Sequence, residues 1–302
     1  MKFAIATIWR ALPPPLQATV LMVIAMAFFT SMSVFIRLAA QDVHPLVVVF
    51  FRNFLALLLL LPWLMNQGVS TLRTQRLGLF ATRAAINVVG MAAGFIALTL
   101  IPLAEATALG FTAPLWATIG AVVILGEVIR LRRIAALVLG FIGVIIVLRP
   151  GVEAVSVGSV LALSHAFLIA ITTLIVKRLT ATESPTTIVI WMVLMQSPLS
   201  LLAALYVWEW PTLITWLWLW CLAGAGTLGH LCWTRAFSIA DVSQLQPFEF
   251  IKLPMIAVFA YLVFAELPTL WTWLGGTVIF ASTAYISVRE ANLARQRRSA
   301  TA

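Results

Sequence analysis

Charge is what this chain has least of. Of its 302 residues, 10% are charged and 63% are hydrophobic. A soluble domain usually carries about 25% charged residues, so this composition cannot cover a water-exposed surface. Cysteine is nearly absent. Cys221 and Cys232 lie in one apolar stretch and form neither a metal spacing nor a disulfide framework; they read as small packing residues. Nor is there a zinc-protease His-Glu pair or a phosphate-binding glycine loop. Ser164 and His165 adjoin, but helical neighbours project about 100° apart, so they make no nucleophile and base pair. The sequence marks of a membrane-embedded enzyme are missing, and no catalytic residue, metal ligand or cofactor is assigned.

What the chain does have is long apolar runs. Bounded by charges and turn residues, they fall at 17–36, 45–65, 77–99, 103–125, 134–149, 156–176, 186–207, 213–234, 242–265 and 270–288. A spanning helix takes about 20 residues, so ten of them use about 200 and leave no room for a soluble domain. The runs are continuous rather than alternating, which argues against a membrane β-barrel. The segment before the first run carries Lys2, Arg10 and Pro13-Pro14-Pro15, with no small-residue cleavage site after the run, so that run reads as a retained helix. The expected fold is all-α and integral to the membrane, with about ten transmembrane helices.

The net charge is +9. In a soluble protein that would suggest nucleic-acid binding. Here the basic residues lie between apolar runs and report topology instead. Ten spans place 14 of the 19 Lys and Arg on the side of both termini, two (Arg37 and Arg149) on the other side, and three (Arg52, Arg83 and Lys252) within spans. That asymmetry predicts cytoplasmic termini in an inner membrane. Trp208, Trp210, Trp216, Trp218 and Trp220, with Trp271 and Trp273, gather at the opposite turns as an interfacial aromatic belt.

Two segments resemble each other. Ala97 to Glu127 and Ala236 to Glu266 each start with Ala, carry a central proline (Pro114, Pro254) and close on Glu. Ala and Glu match at an offset of 139, and the proline is off by one. Each copy holds the fourth helix of a five-helix half, 1–150 or 151–302. Five is odd, so the second half enters the membrane inverted. Inverted halves can exchange inward-open and outward-open shapes around a midplane site, the basis of alternating access in secondary carriers.

The five-plus-five pattern, with Leu125-Gly126-Glu127 closing one copy and Ala265-Glu266 the other, resembles the EamA-type drug/metabolite transporters over nearly the whole chain. The run from Pro102 to Leu109, with Phe111-Thr112-Ala113-Pro114, is similar to a subgroup assigned to export of amino acids and opine-type metallophores, or to uptake of riboflavin or S-adenosylmethionine. The resemblance implies a central cavity lined mainly by helices one, three, four, six, eight and nine, and no ATP-hydrolysing domain.

Ionisable residues inside spans are expensive and mark candidate sites. Lys252 sits about eleven residues into the ninth span, roughly 16 Å deep at 1.5 Å per residue, with Glu249 three residues before it on one helical face. The pair reads either as a structural ion pair or as a substrate or proton site. Pro254 lacks an N–H, which is expected to leave the Phe250 carbonyl free. Arg83 and Asn87 share a face of the third span, beside a small-residue face at Gly90 and Gly94. His165 lies mid-span as a packing residue or proton carrier, and Gln246 adds a neutral polar group. Lys252, Glu249, Arg83, Asn87, His165 and Gln246 are the substrate-binding candidates. Arg52, Glu105, Pro114, Pro254, Glu127 and Glu266 are expected to be structural or helix-capping.

Three intramembrane cations against two anions (Glu105, Glu249) favour a cargo bearing a carboxylate. The leading expectation is therefore an exporter of a zwitterionic, amino-acid-like metabolite or opine-type metallophore, with lipid as a further partner and a homodimer left open. Uptake of riboflavin or S-adenosylmethionine is the alternative, and a channel or membrane-embedded enzyme the alternative of another class.

Overall fold

The computed structural model describes residues 13–67, 72, 74–125, 131–150, 154–179, 182–239, 245 and 248–301. Its helices are α1 (Pro14–Ala39), α2 (Pro45–Gln67), α3 (Leu77–Leu100), α4 (Leu103–Gly110), α5 (Ala113–Leu125), α6 (Leu131–Leu148), α7 (Val157–Leu179), α8 (Pro185–Leu205), α9 (Leu213–Ile239), α10 (Lys252–Phe264) and α11 (Leu270–Thr301). Among the described residues every extended element is a helix. Segments of α1, α2, α3, α7 and α8 are long and apolar enough to cross a membrane, and α6, α10 and α11 carry shorter apolar stretches. Prolines open α1, α2 and α8, where a missing N–H costs nothing. Ser184 caps α8 by accepting from the Thr187 N–H at 3.1 Å, worth about 1 kcal/mol.

The fourth span departs from expectation. It is two helices, α4 and α5, separated by a turn at Phe111 and Thr112. Pro114 removes the N–H that the Gly110 carbonyl would receive, so the ladder breaks one turn earlier. Pro114 thus lies in the first turn of α5 rather than in the centre of a helix. The ninth span has its own turn at Phe250 and Ile251, 139 residues later, before α10 starts at Lys252. There the Phe250 carbonyl is not left free. It accepts from the Leu253 N–H at 2.9 Å in a tighter turn that absorbs the loss at Pro254. The last helix also runs on to Thr301, past the boundary read at residue 288.

Packing follows the repeat. α1 lies against α9, and α3 against α7; each pair joins one half to the other, and the repeat maps one pair onto the other. α2 with α8 and α6 with α11 each join counterparts, so both pairs straddle the pseudo-two-fold axis. The α6–α11 crossing shows this atom by atom. A Cβ on Gly143 would stand 2.9 Å from the Gly275 carbonyl oxygen, while the Ser282 hydroxyl donates to the Ala136 carbonyl. Gly143 and Ser282 are 139 residues apart, as are Ala136 and Gly275, so the second contact is the first one inverted. Two five-helix halves of opposite orientation make up the fold.

Candidate functional site

The break in the ninth span redefines the Lys252 site. Lys252 is the first residue of α10, next to a turn, and not a residue deep in a continuous helix. It stays partly buried, as does Glu249 on the other side of the turn. The two charges act on each other across the turn. Glu249 accepts from Trp233 Nε1 of α9, at 3.5 Å. The Lys252 charge also reaches His165 of α7. The turn therefore carries one lysine and one carboxylate, and the indole of Trp233 ties it to α9.

Glycine lets the imidazole in. His165 Nδ1 lies 2.7 Å from the Gly90 carbonyl oxygen, and a Cβ on Gly94 would stand 2.6 Å from the same nitrogen. The small-residue face of α3 thus receives the side chain of α7. Asn87 and Arg83, one and two turns below on α3, are each 9% exposed.

Arg83 belongs to a second polar group where α2, α3 and α8 meet. Its Nη2 donates to Met192 Sδ at 3.4 Å. Arg52, on α2, donates from Nη1 to Asn53 Oδ1 at 3.0 Å and lies against Gly226 of α9. Asn53 also bonds the Val49 carbonyl at 3.0 Å and reaches Ser200 Oγ at 3.5 Å. Gln196, between Met192 and Ser200 on α8, was missed by sequence reasoning because a lone amide in an apolar run looks unremarkable beside charges.

At the end of the bundle away from the termini, Arg37 is also a residue whose role the sequence hid. Its Nε donates to the Leu98 carbonyl at 2.5 Å, one Nη to the Ile101 carbonyl and the other to Glu266. Its guanidinium also lies over the Phe264 ring, 5.3 Å from the centroid. Glu266 Oε2 accepts from the Leu103 N–H at 3.2 Å. The carboxylate from the second half thus caps α4 in the first. Glu105, in the first turn of α4, accepts from Ser159 of α7 at 2.8 Å. Ala265, at φ 55°, turns the chain to aim Glu266 inward. A cavity of about 490 Å³ opens beside this clamp, lined by Arg37, Gln41, Thr99, Phe264 and Glu266 among others. Counting Arg37 as a loop cation concealed the clamp; its position opposite a repeat-closing Glu was the available signal. Gln246 and Glu127 lie outside the described residues.

Comparison with known proteins sets this geometry in context. The profile of the EamA-like transporter family matches residues 16–149 and 156–288. A riboflavin transporter of Vibrio cholerae is 36% identical over 250 residues, covering 81% of this chain and 83% of its own. An S-adenosylmethionine uptake transporter of Rickettsia bellii is 30% identical over 82% of this chain and 85% of its own. A pseudopaline exporter of Pseudomonas aeruginosa is 25% identical over 90% and 96%. A solved crystal structure of a protein 18% identical superposes with a TM-score of 0.64, over 91% of this chain and 98% of that one, and shares the fold.

Proposed function

This chain belongs to the EamA-like transporter family, and from that premise we propose that it carries riboflavin into the cell by alternating access. The carrying observation is the 36% identity to a riboflavin transporter across both halves. The site chemistry supports it. Riboflavin is a planar, uncharged ring system with a polar edge and a polyol tail. Aromatic faces and neutral hydrogen-bonding groups suit such a cargo. Phe111, Phe250 and Phe280 form one ring cluster at the two span breaks, with centroids 4.4 to 6.1 Å apart. In this reading Lys252, His165 and Asn87 serve the polar edge, and Glu249 holds Lys252 in place.

The zwitterion exporter keeps two observations in its favour, the excess of intramembrane cations and the likeness to a pseudopaline exporter. The relatives named for uptake weigh against it, and S-adenosylmethionine uptake stands between the two as a charged cargo moving inward. In the proposed topology both termini face the cytoplasm of an inner membrane; reporter fusions after residues 68 and 302 then read inside, and one after residue 210 reads outside. Uptake of labelled riboflavin into a riboflavin-requiring strain tests the cargo. Growth rescue at low external riboflavin is expected from this chain. No rescue from a protein shown to be inserted, with loss of labelled S-adenosylmethionine or an amino-acid-like compound from the medium or the cell instead, would reject riboflavin.

A further inference from the structure

Arg52 and Arg83 are nearly removed from solvent, at 4% and 9% exposure. Arg52 donates to Asn53, which reaches Ser200 of α8, and Arg83 donates to Met192 two turns earlier on the same helix, so the two guanidiniums share one neighbourhood. No described carboxylate answers them. Asp42 is bonded to Thr212 and Thr215, Glu105 to Ser159, Glu183 to Thr74, Glu249 to Trp233 and Glu266 to Arg37. Glu209 is exposed.

Hydrogen-bonding capacity is open at the same place. Arg83 Nε has no partner, and neither amide atom of Gln196 has one, although Gln196 has no exposed surface at all. Residues four apart share a helical face. Gln196 therefore stands between Met192, which accepts from Arg83, and Ser200, which meets the neighbour of Arg52. An unpaired cation inside a bilayer is expensive, and an unsatisfied buried amide adds to that cost. Two guanidinium forks with an amide between them are the donor set that holds an oxyanion or halide.

The geometry points to a binding site for one small anion where α2, α3 and α8 meet, held by Arg52, Arg83 and the amide of Gln196. The anion neutralises one of the two charges and fills the open donors. Its source is either a free inorganic anion or an anionic group on the carried metabolite. An uncharged flavin leaves the site to a free anion, so the inference does not rest on the riboflavin reading.

The test uses the full-length protein in detergent, with ionic strength held constant by gluconate salts. Chloride, formate and phosphate are titrated in, and melting is followed by tryptophan fluorescence. At a hundredfold excess over Kd, a saturable rise in Tm of about 5 °C is expected for at least one of them. Arg83→Gln abolishes the rise, Gln196→Leu weakens Kd at least tenfold, and Arg83→Lys keeps a response. The wild-type titration decides the matter even if a variant fails to fold. Adding S-adenosylmethionine, which carries a carboxylate, at saturation separates the sources. Competition with the small anion assigns the site to a group on the metabolite, and independent or mutually enhanced binding assigns it to a free anion. A Tm indifferent to all three anions overturns the site. None of these readouts requires transport, so they stand or fall separately from riboflavin uptake.

Discussion

Phe111 and Phe250 occupy the same position in the two halves, 139 residues apart, and their rings touch, with centroids 5.9 Å apart. Only residues near the pseudo-two-fold axis can meet their own counterparts. Each sits at the break of its span, so both breaks face the axis. Phe280 joins both rings, whereas its counterpart Phe141 packs on Trp116 instead. The cluster is therefore asymmetric around a symmetric pair. In a double-mutant cycle, Phe111→Ala and Phe250→Ala should couple by about 0.5–1.5 kcal/mol, the usual size for an aromatic pair. Additive losses in melting free energy would refute the contact.

Ala265 holds a left-handed conformation at φ 55°, costly for a residue with a Cβ. Its counterpart in the first half is Gly126. Ala265→Gly should relieve this strain and stabilise the protein by up to about 1 kcal/mol, the gain being reduced by the greater freedom of glycine in the unfolded chain. A Tm below that of the wild type would show that the turn needs the methyl group.

Gly94 has no room for a side chain beside His165. Gly94→Ala should cost about 1–3 kcal/mol through overpacking. Adding His165→Ala should recover most of the loss in Tm. If the second change recovers nothing, the α3–α7 contact is not what makes Gly94 necessary.

The roles proposed for Lys252 and Glu249 separate in transport assays. Lys252→Met should abolish uptake at near-normal protein levels. Glu249→Gln strands the lysine charge and should lower both uptake and stability. Combining Lys252→Met with Glu249→Gln removes both charges and should restore stability but not uptake. Near-normal uptake by the double variant would leave the pair as a packing element.

Asp42 ties the first turn to the start of α9. It accepts from the Thr212 N–H at 2.9 Å and the Thr215 hydroxyl at 2.7 Å, and these bonds, the backbone one foremost, hold its carboxyl below the usual value. A lowered folded pKa means the stabilisation is fully present above the unfolded value of about 3.9 and is lost as pH falls through the folded value. The Tm difference between wild type and Asp42→Asn should be constant above about pH 5 and shrink below pH ~4. A difference that grows on acidification would reverse the assignment.

The fold was legible because it is written in coarse signals. Long apolar runs give the helices, cations give the sidedness expected, and Ala97–Glu127 against Ala236–Glu266 gives the inverted repeat. What hid was whatever depends on a partner far away in sequence. Pro114 announced a defect in the ladder, but not that the chain would break one turn earlier at Phe111 and Thr112. Glu105 looked like the cap of its own helix, yet the N–H of Leu103 is met by Glu266. Lys252 looked like part of an unbroken helix, because counting residues along an apolar run does not reveal the turn at Phe250 and Ile251. Gln196 is silent in sequence, since only its burial without partners marks it.

The Arg37–Glu266 clamp joins residues 229 positions apart. At about 5–20 residues per second, synthesis of that interval takes roughly 11–46 s. For that time the arginine at the end of α1 has no carboxylate to meet, and from its own synthesis the first N–H of α4 has no acceptor from the other half. The clamp can therefore close only after the second half has been made through its ninth span, so it joins the halves late in synthesis whatever the order in which the helices pack.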